Sequence, residues 1–205
     1  MLPVGPKAQQ LIVTEEIGSA AYYEAQCQSP VWPGGSSGVT IGIGYDLGQH
    51  TAAEIQEDWG SIVSAPELVL LAKCAGRTGP TAQALVREGL FVTIVLADAM
   101  KVFLTKTLPH YAQMTEDALD NCGQLSPDAF GVLVSITYNR GAEGWNDFDS
   151  DRHSEMAGIS AAMDDKNYHA VAPLIRSMKR LWPVDGALWN RRLHEADLFE
   201  AALGT

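Results

Sequence analysis

Cysteine is scarce in this chain of 205 residues: Cys27, Cys74 and Cys122 are odd in number, far apart and form no CxxC pair. That spacing excludes a zinc knuckle and a disulfide framework and points to free thiols from a reducing compartment. Long apolar runs are missing too. No stretch approaches the ~18 consecutive apolar residues of a membrane span, and Met1-Leu2-Pro3-Val4-Gly5-Pro6 lacks a basic region followed by an apolar core. The expectation is a soluble chain made in the cytoplasm without a signal peptide. Basic residues are few, 14 against 25 acidic, and the net charge of −11 repels nucleic acid and anionic membranes. Ligand spacing is absent among His50, His110, His153, His169 and His194. Asp147-x-Asp149-x-Asp151 begins like a calcium loop, but Arg152 stands where glycine belongs and Gly158 where the bidentate glutamate belongs. Gly42-x-Gly44-x-x-x-Gly48 is one residue off a dinucleotide loop and has no βαβ unit around it. Neither a metal nor a cofactor is expected.

What is present is helical periodicity. The chain is long enough for one large domain, or for two small lobes sharing a long helix, without staples. A first helix is expected over 7–17, where Ala8, Leu11, Ile12 and Glu15 share a face and Gly18-Ser19 follow as a stop. From Tyr22 to Gly48 the pattern breaks. Pro30, Pro33, Gly34, Gly35, Ser36, Ser37 and Gly38 mark turns, and the β-branched Val39-Thr40-Ile41 favours a strand, so a small hairpin-rich region is expected. Two capping boxes, Thr51-x-x-Glu54 and Ser64-x-x-Glu67, then announce helices. Further helices are expected over 81–87, 93 to about 107, 127–140, 154–163, 168–181 and 187–203. In the span 127–140, Phe130, Leu133, Val134, Thr137 and Tyr138 form a core-facing stripe. Trp182 and Trp189 are expected in the core. The organisation predicted is a single α+β domain over 1–205, with a small β-containing lobe at about 19–60 and a helical lobe at about 61–205 that includes the first helix.

Three side chains could carry chemistry. Glu15 lies near the mean direction of the apolar face, whereas Glu16 is rotated roughly a quarter turn away. A carboxyl partly withdrawn from water resists ionisation and can hold a proton for a leaving-group oxygen. Glu24 follows Tyr22-Tyr23 and is expected beyond the helix in irregular chain, hydrated and ionised. Thr40, in the strand, has a hydroxyl that can orient water, and Gly42 and Gly44 permit close approach of a backbone or a sugar. A proton-donating carboxyl facing an ionised one is the requirement for hydrolysing a glycosidic bond.

The pattern resembles the phage-type lysozymes (muramidases). Glu15, Tyr22, Glu24, Gly38 and Thr40-Ile41-Gly42-Ile43-Gly44 look like that family's Glu, Tyr-x-Asp and Thr-Ile-Gly-x-Gly-His, with Glu24 in place of aspartate and Tyr45-Asp46 in place of histidine. Downstream, Ser135-Ile136-Thr137-Tyr138-Asn139-Arg140-Gly141, Arg180-Leu181-Trp182 and Trp189-Asn190-Arg191-Arg192 resemble the family's later helices in the same order. In style the chain is similar to lysozyme domains of secreted antibacterial effectors, including those delivered by type VI secretion. The resemblance implies an α+β lysozyme-like fold, mostly helical with a small β-hairpin lobe near the N-terminus. It also implies hydrolysis of the β-1,4 bond between N-acetylmuramic acid and N-acetylglucosamine. Glu15 takes the general-acid position, Glu24 the second carboxylate and Thr40 the water-positioning hydroxyl.

Inversion would set the carboxyls ~6.5–9.5 Å apart and retention ~5 Å. Tyr22 and Trp32 are candidates to line the sugar-binding cleft, and Asn139 and Arg140 to reach substrate; a core role for Tyr22 and a capping role for Asn139 and Arg140 stay open. The implied partners are peptidoglycan glycan strands, an immunity protein and a secretion spike or carrier, with action in the periplasm or cell wall and the chain a monomer. The acidic charge disfavours an anionic, teichoic-acid-rich wall and favours a thinner wall or delivery by a carrier. An inactive wall-binding module and a glycosidase of chitin-like polymers remain as alternatives.

Overall fold

Residues 1–204 are described by the structure, a computed structural model, and most of them are helical, with one two-stranded antiparallel sheet. The α+β class is therefore as expected. No helix among the described residues is long and apolar enough to cross a membrane. The chain divides into two units: Met1–Glu15 with everything from Leu108 onward, and Glu16–Thr107. The lobe expected at about 19–60 forms the front of the second unit, which runs on through Thr107.

Unit one is organised around a buried helix. Its elements are α1 (Pro6–Ile17), whose last two residues fall in unit two, α7 (Leu108–Ala118), α8 (Pro127–Arg140), α9 (Ser154–Asp164), α10 (Val171–Ser177) and α11 (Ala187–Leu203). The stripe expected on α8 proves too narrow. Every residue from Ala129 to Thr137 is buried, as in a helix packed on all sides. At the start of α8, Asp128 Oδ1 accepts the free amides of Lys7 at 3.0 Å and Ala8 at 3.2 Å, capping α1 from outside. Two glycines make this contact possible. A Cβ at Gly5 would lie 2.1 Å from Asp128 Oδ1, and one at Gly131 2.4 Å from the Ala8 Cβ.

On its other side α8 meets α11 through a charged cluster with almost no exposure. Glu195 Oε1 accepts the Ser135 hydroxyl at 2.6 Å, Arg191 Nε at 3.1 Å and an Arg192 amino group at 3.0 Å. Removing one partner from such a set leaves an uncompensated buried charge. Trp145, also fully buried, donates its indole N–H to Thr137 Oγ1, which receives the Thr115 hydroxyl as well.

Two further expectations fail, one just ahead of this unit and one within it. Helix was expected to stop at about Thr107, yet a wide π-type turn at Phe103–Thr107 leads into α7. Pro109 has no amide to donate, and the wide turn ahead of it accommodates the ring near the helix start. Trp182 and Trp189 are only half-buried. The guanidinium groups of Arg140 and Arg192 lie 5.2 and 5.6 Å from the Trp182 ring centroid, and the Lys179 ammonium lies 4.5 Å from that of Trp189. Cations cover these indoles in place of apolar core.

Unit two holds α2 (Ala20–Gln26), β1 (Thr40–Ile41), β2 (Tyr45–Asp46), α3 (Ala52–Trp59), α4 (Ala65–Ala72), α5 (Gly79–Arg87) and α6 (Leu96–Val102). The expected capping interactions form: Thr51 and Glu54 exchange reciprocal bonds, and the Glu67 carboxylate accepts the Ser64 amide at 2.9 Å. Val39, Ile41, Ile43, Tyr45, Leu47, Ile55 and Trp59 form an apolar centre. The strand pair is only two residues long, with Thr40 opposite Asp46 and Ile41 opposite Tyr45.

Replacing Glu195 by Gln is expected to lower unfolding free energy by about 3–5 kcal/mol in urea denaturation, because two buried guanidinium groups lose their counter-charge. A second effect depends on pH. Burial alone would raise the Glu155 carboxyl, but hydrogen bonds from Arg180, its own backbone and Ser154 outweigh it and hold the group below the usual carboxylate range. A depressed folded-state value stabilises above the unfolded range, near ~4.3 for glutamate, and that contribution is lost as pH falls through the folded value. Thermal melts from pH 7 to 2 should show Glu155→Gln with a lower Tm at neutral pH and a shallower acid decline than the parent.

Candidate active site

Glu15 sits near the C-terminal end of α1. Ala8 and Ile12 are buried, while Lys7, Gln10, Leu11, Thr14 and Glu15 line an open groove of about 320 Å³ whose far wall is His194 and Leu198 of α11. The Glu15 side chain is 14% exposed, and its Oε1 lies 2.7 Å from His194 Nδ1. A shielded carboxyl is thus held at the edge of an accessible groove. His194 escaped the sequence reading because 179 positions separate the partners, and a lone histidine on a helix carries no spacing signal.

The other sequence-predicted residues of the front segment belong to unit two. Glu24 was expected in irregular chain, but it lies on α2. Ser19 Oγ accepts the Tyr22 amide at 3.1 Å and starts a helix through a run containing alanine, glutamate and glutamine, all good helix formers. Tyr23 anchors that helix: it is buried, and its hydroxyl donates to the Ile94 carbonyl at 3.0 Å. Burial, followed by the fields of Cys27 and Asp98, pushes the Tyr23 phenol upward, so it is a structural donor. Its neighbours Tyr22 and Glu24 face solvent, Tyr22 at 56% exposure. Among the described residues Glu24 has no hydrogen-bond or ion-pair partner.

Thr40 is half-buried in β1, its backbone pairing with Val31 on one side and Asp46 on the other. Its hydroxyl has no protein partner among the described residues. Gly42 and Gly44 are needed for the turn itself, with φ of 59° and 67°. Gly42 also packs closely, since a Cβ there would stand 3.1 Å from the Trp59 ring.

The carboxylates around this hairpin are committed to structure. Asp46 accepts the amides of Gly38 at 3.1 Å and Gly48 at 2.8 Å, clasping the loop before β1 to the turn after β2. Asp58 takes the Tyr45 hydroxyl at 2.8 Å and pairs with Lys106 at 3.3 Å. Burial and then that bond to Asp58 push the Tyr45 phenol upward. The Tyr45-Asp46 departure is therefore a structural device, which leaves Glu24 as the free carboxylate of the segment 22–46.

Trp32 is half-buried, and its indole N–H donates to the Ser37 carbonyl, closing the Pro/Gly loop on itself. Arg140 does not fit the substrate-contact expectation, and Asn139 is half-buried. Asn139 Oδ1 accepts from Arg192 at 3.2 Å. Arg140 is buried, bonded to Met156 Sδ and the Arg152 carbonyl, and stacked on Trp182. Burial, then the like charges of Arg192 and Arg152, pull its guanidinium down to about 10. These two residues tie the end of α8 to the segments around it. Asp147, Asp149 and Asp151 do not converge either: Asp147 pairs with His153 and Asp151 with Arg180, and no group of three or more candidate metal ligands occurs among the described residues. The three cysteines are free, and burial raises the Cys74 and Cys122 thiols to about 11, which makes them poor nucleophiles.

The chain belongs to the family described as Domain of unknown function (DUF8812), whose model matches residues 14–132, more than half of the sequence. The match takes in Glu15, Tyr22, Glu24, Trp32 and Thr40 and ends before Asn139 and His194. No curated protein matches the chain.

Asp46→Ala is expected to reduce unfolding free energy by roughly 2–3 kcal/mol, the scale of hydrogen bonds to a charged acceptor. Gly38→Ala should act in the same direction, because its Cβ would lie 2.1 Å from Asp46 Oδ1 and 2.5 Å from the Gly48 amide. Chemical denaturation of both variants checks the clasp.

Proposed function

We propose that this chain is a muramidase with a lysozyme-like fold, cleaving the β-1,4 bond between N-acetylmuramic acid and N-acetylglucosamine in peptidoglycan. The observation that carries the reading is Glu15: a carboxyl reduced to 14% exposure that still lines an open groove and has an imidazole at hydrogen-bond distance. A general acid needs this combination of shielding and access. Support also comes from Glu24 and Thr40, whose side chains are not spent on the fold.

In the proposed reaction Glu15 donates its proton to the bridging oxygen as the bond from that oxygen to the anomeric carbon breaks. A second carboxylate takes the proton of the water that attacks the anomeric carbon; Glu24 is the candidate for that role and Thr40 the candidate to orient the water, with inversion as the expected outcome. The acidic charge fits an enzyme acting on a thin wall, or brought to the wall by a carrier, better than one diffusing onto teichoic acid. We therefore read the protein as an antibacterial effector or endolysin domain working in the periplasm or cell wall. Glycan strands are its substrate, and a secretion carrier and an immunity protein its expected protein partners.

Glu15→Gln should cut the rate of turbidity loss on purified peptidoglycan by about 10²–10⁴-fold, with an unchanged melting curve. Glu24→Gln should be similarly damaging, and Thr40→Val should lower kcat more than it changes KM. Mass spectrometry of digested sacculi should find reducing muramic ends. A fully active Glu15→Gln protein would refute the assignment.

A further inference from the structure

We propose that His194 is a positioning residue for Glu15, fixing its carboxyl in the groove and returning a proton to it after each bond cleavage. The inference rests on the muramidase reading. Its geometry is contained within unit one. His194 Nδ1 lies 2.7 Å from Glu15 Oε1, and the ring is 60% exposed while the carboxyl is 14% exposed. One edge of the imidazole thus touches the shielded acid while the ring as a whole is open to water. Both helices are anchored independently: α1 by the Asp128 cap, and α11 by Glu195, the residue after His194. The contact is therefore set by the helix frame.

The charged groups around the ring are few. Glu15 and Lys7 line the groove from α1. On α11 itself, Arg191 and Glu195 are buried in the cluster with Ser135, and Asp197 is bound at 2.7 Å by Arg176 of α10. Lys7, as an ammonium, can repel the protonated ring, but it has no lone pair with which to take its proton.

The proton balance is simple. When the glycosidic bond breaks, Glu15 is left ionised. The neutral ring beside it, carrying its hydrogen on Nε2, takes a proton from solvent at Nδ1, and the imidazolium so formed passes that proton to Glu15 Oε1, which restores the starting pair. The proton taken from the attacking water leaves Glu24 for solvent, so each cycle adds one water across the bond and consumes no co-reactant.

A consequence follows for pH. With one proton shared by the pair, moving it between ring and carboxyl does not depend on pH, so activity persists until the pair loses that proton. If His194 is replaced by Gln, the carboxyl must keep a proton unaided. The upper limb of the kcat/KM profile of His194→Gln should accordingly lie at lower pH than that of the parent. At neutral pH kcat should drop about ten-fold, less than the 10²–10⁴ expected of the acid itself, with KM little changed because His194 touches Glu15 and not the sugar.

The experiment is a pH–rate profile of both proteins on purified peptidoglycan, with circular dichroism melts to establish equal folding. The ring is 60% exposed, so its replacement leaves the core packing in place, and His194→Asn supplies a second variant that also lacks a titrating group. A shifted limb with preserved KM supports the inference. An active parent whose profile coincides with those of both variants overturns the inference and leaves the muramidase reading standing. A parent with no turnover overturns the muramidase reading itself, and this inference with it.

Discussion

Two arginines and a serine hydroxyl share the single carboxylate of Glu195 in a space with almost no solvent. That cluster fixes α11 on α8, and α7 packs on the same helix. Asp128, one position from the start of α8, caps α1, and Gly131 one turn later lets Ala8 come close. With both outer helices tied to α8, Glu15 and His194 meet at 2.7 Å without any bond of their own being needed to bring the helices together. Buried ion pairs of this kind can fix which groups face each other. Here the fixed pair is the proposed acid and its neighbour.

The hairpin region follows a different logic. It has little regular structure, and two strand residues on each side cannot hold a sheet by themselves. Side chains supply what the ladder lacks: Asp46 clasps Gly38 to Gly48, and Tyr45 stacks on His50 at 4.1 Å while meeting Trp59 edge-on at 5.5 Å and donating to Asp58. The acidic residues nearest the turn are used up in this framework. Glu24 and Thr40 are not, which leaves a carboxylate and a hydroxyl on an anchored scaffold for the proposed hydrolysis.

Local signals were legible wherever the interaction is local. The Thr51 box, the Ser64 box and the helix over 127–140 depend on residues three or four positions apart, and they form where expected. The helix carrying Glu24 was obscured by the Pro/Gly-rich stretch beyond it, although Ser19 is an ordinary cap. The π-type turn before Pro109 and the cationic cover of Trp182 depend on neighbours that no short window contains. Arg140 shows the same limit: its position after Asn139 at a helix end suggested reach toward a ligand, and burial among Met156, Trp182 and the Arg152 carbonyl redirects it inward.

By itself the sequence determined the mostly helical α+β class, most of the helix spans and the choice of Glu15, Glu24 and Thr40 as candidates, because side-chain periodicity and backbone stereochemistry act over a few residues. Only the tertiary structure decided that Asp46 and Asp58 serve the scaffold, that Arg140 faces inward, and that an imidazole from the last helix stands beside the carboxyl of the first. Those outcomes depend on contacts between distant segments, where desolvation and charge pairing select among partners that sequence spacing does not distinguish.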